Sequence, residues 1–132
     1  MAIDVDRAEG CYIWDKAGKK YLDLISGIGV SSVGHRHPKV VKAIKEQVDK
    51  YMHVMVYGEF IQSPQTQLAK ALCALLPSNL DNIFLVGSGS EAIEGAMKLA
   101  KKRTGRTGFL SMENCYHGNT QSVMSLMSDE ER

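Results

Sequence analysis

Four small residues, Gly87, Ser88, Gly89 and Ser90, follow the apolar run 83–86. A helical pattern comes next, with Ala92, Ile93, Ala96, Met97 and Ala100 on one side. The run has the length and composition of a buried parallel strand. The glycines and serines let the backbone turn sharply and leave its amides uncovered. Strand, turn and helix start together aim unpaired N–H groups and the positive end of a helix dipole at one point, which suits a phosphate. Spacing narrows the choice of ligand. A nucleoside-triphosphate loop ends in Gly-Lys-Ser/Thr, and here the first lysine of the stretch is Lys98. A dinucleotide fingerprint wants a third glycine where Ala92 stands, although alanine is tolerated there. Two readings stay open: a small phosphate-bearing ligand held by amides and hydroxyls, or a generic phosphate- or dinucleotide-binding α/β module.

A second set of reactive side chains lies in Asn114-Cys115-Tyr116-His117-Gly118-Asn119-Thr120. It follows a second short apolar run, 109–112, so the chain reads as a β-α-β unit, parallel and right-handed. Ligands of open α/β sheets bind beyond the carboxyl ends of the strands, which places this loop beside the Gly-Ser turn. Tyr116 offers a flat π face of the kind that stacks on a heteroaromatic ring. His117 is suited to supporting the turn or tuning the site. For Cys115 a buried thiol, not a nucleophile, is the expectation. His35 and His37 lack Cys or His partners at ligand spacing and read as structural, with Pro38 as a first helical residue.

The elements that must carry these loops follow from periodicity. Cys11 to Trp14 and Lys20 to Ile25 flank the turn residues Asp15-Lys16-Ala17-Gly18-Lys19, which predicts a hairpin with Tyr12, Trp14, Leu22 and Leu24 on its inner face. The stretch 26–34 is rich in Gly and Ser and reads as a loop. Val40, Val41, Ile44 and Val48 predict an amphipathic helix from Pro38 to about Tyr51. Ser63 as N-cap and Pro64 as first residue begin another, with Leu68, Ala71, Leu72, Leu75 and Leu76 as its buried stripe. Helices are also expected from Ser90 to about Arg103 and over 121–127.

Bulk properties exclude several classes. The 132 residues are 44% hydrophobic and 23% charged with a net charge of +1, which gives no electrostatic reason for a nucleic-acid or anionic-membrane partner. No apolar run approaches a membrane span of ~20 residues, and the start does not read as a signal peptide. Three widely spaced cysteines suit reduced thiols and a cytoplasmic location.

Three motifs in order resemble one family. Gly87-Ser88-Gly89-Ser90-Glu91-Ala92 with Glu94, Ala96, Lys98, Leu99 and Ala100 is similar to the cofactor-phosphate loop and following helix of the class III aminotransferases. These are pyridoxal-phosphate enzymes of fold type I that include acetylornithine/ornithine aminotransferases. Gly34-His35-Arg36-His37-Pro38 after Gly27-Ile28-Gly29-Val30 resembles the family's N-terminal Gly-His signature. Tyr116-His117-Gly118 resembles its aromatic-His-Gly motif. The resemblance implies an α/β fold in which residues 1–60 form a small-domain segment and active-site entrance. Residues 61–132 would be the first part of the cofactor-binding large domain. It implies pyridoxal 5′-phosphate as cofactor, with Ser88, Gly89, Ser90, Tyr116 and His117 binding it. Ile28, Val30 and Phe60 would lie on the substrate side, with Tyr57 as the alternative to Phe60. It further implies an amino donor and a 2-oxo acid as substrates, and a homodimer or higher homo-oligomer.

The chain departs from the pattern at Gly87, where Asn is frequent, at Asn119, where Arg is common, and at Phe60, where Tyr is frequent. Relatives are about three times longer, which implies an amino-terminal piece. No lysine here stands in the context of the family's Schiff-base lysine, so the expectation is a chain that is inactive alone.

Overall fold

The computed structural model describes residues 2–55 and 57–128. They form two compact units, one through Phe60 and one from Ile61.

The first unit is built on a three-stranded antiparallel sheet in the order β1-β2-β3, with β1 Val5–Glu9, β2 Tyr12–Asp15 and β3 Lys20–Leu22. The expected hairpin is β2-β3, closed by Asp15, whose carboxylate accepts from the Lys19 N–H at 2.9 Å. β1 was not anticipated, because Val5-Asp6-Arg7-Ala8-Glu9 has only two apolar residues to mark a strand. Register corrects the expected inner face. Tyr12 pairs with Leu22 and Trp14 with Lys20, so these four share one side. That side is dressed with cations: Lys20 Nζ lies 3.6 Å from the Tyr12 ring centre and the Arg7 guanidinium 3.9 Å from that of Trp14. Leu22 is exposed, and Leu24 lies beyond the strand and is exposed. The other face, Ala8, Ile13 and Tyr21, is half-buried throughout.

After β3 the chain makes a four-residue turn, α1 Ser26–Gly29, whose Gly27 and Ile28 sit in the left-handed region. Ile28 at φ 61° is unusual for a β-branched residue. Asp23 organises this turn. Its Oδ1 accepts from the N–H groups of Ile25 at 3.0 Å and Ser26 at 2.9 Å, and its Oδ2 accepts from His35 Nε2 at 2.7 Å. His35 also exchanges two backbone hydrogen bonds with Gly10, at 2.8 and 3.0 Å. The loop is thus stapled at its base to the sheet, which is the structural role expected of His35. Gly34, at φ 78°, brings its Cα so near Gly10 that an added Cβ would stand 3.0 Å from the Gly10 carbonyl oxygen. Helix α2, Pro38–Val48, follows with Pro38 in its first turn.

The second unit contains α3 Ser63–Cys73, α4 Gly89–Thr104 and α5 Gln121–Met124. Helix α3 starts with Ser63 inside it and Gln62 as N-cap, one residue from the expected arrangement. The two apolar runs 83–86 and 109–112 form neither helix nor ladder among the described residues. The helix α4 of the expected β-α-β unit is present, without a ladder on either side of it among the described residues. A strand exists only through its hydrogen-bonded neighbour, and these runs pair with none among the described residues. Helices α4 and α5 pack together. The hydrophobic core is small: Met97 at 8% exposure and Val123 at 0% are its fully buried members among the described residues. Ile44 of α2, Leu68 of α3 and Leu75 just past the end of α3, all expected on buried stripes, stay exposed. No helix among the described residues is long and apolar enough to cross a membrane.

Replacing Gly34 by Ala should cost about 1–3 kcal/mol of first-unit stability, read as a lower urea midpoint by circular dichroism. An unchanged midpoint would show that the Gly10–Gly34 approach is dispensable. Hydrogen bonds from the Ser26 N–H and then from His35 hold the Asp23 carboxyl below its ordinary value of 3.8. A depressed folded-state pKa gives stability that is present above the unfolded value and is lost as pH falls through the folded one. Acid melting of the staple should therefore set in below about pH 4. Asp23→Asn should flatten that dependence, whereas an equally steep profile in the variant would exclude Asp23 as its source.

Candidate cofactor-phosphate site

The start of α4 is shaped by its own cap. Ser88 is the N-cap in extended conformation, φ −154° and ψ 164°, and its Oγ accepts from the Glu91 N–H at 3.2 Å. Glu91 reaches back to accept the Gly87 N–H through Oε2 at 2.7 Å. This is a variant of the capping box, with the carboxylate taking the amide one residue before the N-cap. The Ser88-x-x-Glu91 spacing carried this signal in the sequence and was missed. One consequence corrects the sequence reading: the Gly87 amide is already engaged and is not available to a ligand. The N–H groups of Ser88, Gly89 and Ser90 donate to no protein acceptor among the described residues. They lie at the positive end of a sixteen-residue helix whose last turn carries Lys101, Lys102 and Arg103. Ser88 and Ser90 each keep a hydroxyl proton to donate, because the bonds above use their oxygens as acceptors.

The structure brings the second loop to this point. The Asn119 N–H donates to Ser90 Oγ at 3.3 Å. Gly118 is buried at φ 125°, and a Cβ there would come within 2.8 Å of Ser90 Cβ and 3.0 Å of its Cα. Only glycine permits this approach. The Thr120 hydroxyl donates to Glu94 Oε1 at 2.7 Å, a contact for which Glu94, read in the sequence as a polar helix position, gave no sign. Tyr116 is 65% exposed and His117 half-buried, both within the loop so anchored. Cys115 is half-buried, its Sγ donating to the Met112 carbonyl at 2.7 Å.

Ile28, Val30 and Phe60 belong to the first unit and are exposed, Ile28 at 90%. Tyr57, the alternative to Phe60, is exposed as well. His35 is committed to Asp23.

These groups match the chemistry of a phosphate monoester joined to an aromatic ring. Three unengaged amides and two hydroxyls offer donors to the anion, and a tyrosine, Tyr116, lies in the adjoining loop. Ser88→Ala should cost about 1 kcal/mol of α4 stability, measured as a lower thermal midpoint with loss of exchange protection at the Glu91 amide. Full retention of that protection would remove Ser88 from the cap.

Comparison with known proteins adds an independent line. The family model described as Aminotransferase class-III matches residues 1–132. The acetylornithine aminotransferase of Methanopyrus kandleri is 42% identical over 119 residues, 89% of this chain and 30% of that protein. That of Bacillus subtilis is 43% identical over 123 residues, 93% of this chain and 31% of that protein. Among solved structures, adenosylmethionine-8-amino-7-oxononanoate aminotransferase from Methanocaldococcus jannaschii superposes with a TM-score of 0.89 at 37% identity, covering 96% of this chain and 30% of that one. Taurine:2-oxoglutarate aminotransferase from Bifidobacterium kashiwanohense, solved with PLP and glutamate, gives a TM-score of 0.85 at 34% identity, covering 92% and 27%. The chain spans about three-tenths of the length of these relatives. With the capped helix start, the loop seated on it and these likenesses taken together, the chain belongs to the class III aminotransferases, a pyridoxal-phosphate-dependent family of α/β fold.

Proposed function

We propose that the protein transfers an amino group from an amino acid or ω-amino donor to a 2-oxo acid, using pyridoxal 5′-phosphate. In this reading the chain supplies the cofactor's phosphate cradle and one ring contact. The observation that carries it is the seating of Gly118 and Asn119 on Ser90, because it sets a tyrosine-bearing loop against a helix start with unengaged amides. The N–H groups of Ser88, Gly89 and Ser90 bind the phosphate, helped by the two hydroxyls and the helix dipole. Tyr116 stacks on the pyridine ring, and His117 supports the turn beside it. Ile28, Val30 and Phe60 offer apolar contact to the aliphatic part of the donor. Residues 1–60 serve as a small-domain segment and 61–132 as the beginning of the large domain. A homodimer in the cytoplasm completes the reading.

When bound, the cofactor supplies an electron sink for the bond changes at the donor's amino carbon. Ser88, Gly89, Ser90, Tyr116 and His117 would hold it. Lys98, Lys101 and Lys102 lie along α4, well past its first turn and on exposed positions, so none is placed to reach the cradle. No lysine of the chain stands in the context of the family's Schiff-base lysine, so the 132 residues alone should bind the cofactor reversibly and turn nothing over. Titration with pyridoxal 5′-phosphate, followed by ³¹P NMR, should give a shifted, exchangeable signal that Ser90→Ala weakens about tenfold, as expected for lost hydrogen bonds to a charged group. Borohydride treatment should label no single lysine in preference to the other exposed lysines by mass spectrometry. Amino-group transfer by this chain, with one lysine stably labelled, would overturn the assignment.

A further inference from the structure

We propose that Glu94 and Thr120 are positioning residues for the cofactor site, their hydrogen bond fixing the loop 114–120, and Tyr116 with it, against the first turn of α4. The proposal rests on the phosphate-site reading and gives a role to two residues for which the resemblance implied none. Ser90, Glu94 and Met97 are spaced by four and three residues, so they share one face of α4. Two of the three are bonded to successive points of the loop: Ser90 takes the Asn119 amide and Glu94 the Thr120 hydroxyl. Met97, the third, is buried, as is Val123 of the packed helix α5.

Thr120 itself supplies the second observation. It is the N-cap of α5, in the extended conformation that lets a threonine cap its own helix, φ −76° and ψ 153°, yet its side chain makes no capping bond. Capping is the ordinary use of a threonine hydroxyl at this position. Here the hydroxyl is spent on a carboxylate of another helix at 2.7 Å, a charge-assisted bond. The far side of the loop is tied separately. The Asn114 N–H donates to Ser128 Oγ at 3.0 Å, and the Cys115 thiol to Met112. Tyr116 is therefore bracketed by anchors at 114–115 and at 118–120. Releasing the Glu94–Thr120 bond would loosen one end of that bracket, which the Asn119–Ser90 contact alone would then hold, while leaving the amides of Ser88, Gly89 and Ser90 in place.

This predicts a split between two ligands. Inorganic phosphate meets only the helix start, whereas pyridoxal 5′-phosphate also meets Tyr116. In the whole 132-residue chain, Glu94→Ala and Thr120→Val should each weaken pyridoxal 5′-phosphate about tenfold and leave inorganic phosphate within about twofold, by ³¹P NMR titration. The same variants should speed exchange of the Asn119 amide about tenfold without changing that of Glu91. Thr120→Ser keeps the hydroxyl and Glu94→Gln keeps an acceptor oxygen, so both should retain wild-type exchange and most of the affinity. Equal weakening of the two ligands would mark a general loosening of α4 and overturn the positioning role, as would unchanged Asn119 exchange in Thr120→Val. Failure of the wild-type chain to bind either phosphate would sink the cofactor reading instead, and the exchange rates would still decide whether the Glu94–Thr120 bond holds the loop.

Discussion

The candidate site depends on how closely one loop approaches one helix turn. Gly118 comes so near Ser90 that no side chain fits at that position, and the serine hydroxyl meets the next amide in the loop. Twenty-nine residues separate the bonded partners, so closing this contact carries a loop-entropy cost that grows only slowly with length. The offset comes from several modest terms acting together: a charge-assisted bond at Glu94, burial of Met97 and Val123, and the cap at Ser88. None of these alone would hold the loop. Ser90, Glu94 and Met97 stand along one side of α4, and the helix becomes a ruler against which the loop is set.

The first unit is tied down by a different device. Asp23 accepts three hydrogens, two from the turn it precedes and one from His35, and the His35 backbone is in turn laddered to Gly10. A short polar cluster thereby fixes a turn whose residues are mostly left-handed, including an isoleucine that would not choose that conformation. Polar staples of this kind matter more where apolar burial is scarce. Here it is scarce throughout. Side chains such as Ile44, Leu68, Leu75 and Phe84 remain exposed, in a chain that covers about three-tenths of its relatives' length.

Helices were legible because their signals are local. Pro38, Pro64 and the small residues before Ala92 mark starts that the structure reproduces within a residue or two. The β2-β3 turn was legible from its Asp and Gly. Ladders were less so, because pairing joins distant segments and periodicity does not name a partner: Val5–Glu9 was missed, and 83–86 and 109–112 read as strands without acquiring a neighbour. The same limit explains the inverted hairpin face. Apolar alternation identified Tyr12, Trp14 and Leu22 as one side, and nothing in it revealed that Arg7 and Lys20 would cover that side. At the site, Ser88, Gly89, Ser90 and the Tyr116 loop were visible as residue types in sequence order. The roles of Glu91, Glu94 and Thr120 were not, since a glutamate on a helix looks alike whether it faces water or a threonine.

The cation-covered face of the sheet has an optical consequence. Trp14 is the chain's single tryptophan, with the Arg7 guanidinium over its ring and Tyr12 at 6.2 Å between ring centres. Its emission therefore reports on the pairing of β1 with β2 and of β2 with β3. Excited where only indole absorbs, Trp14 becomes a private channel for the amino-terminal unit, because α4 and its loop carry no tryptophan.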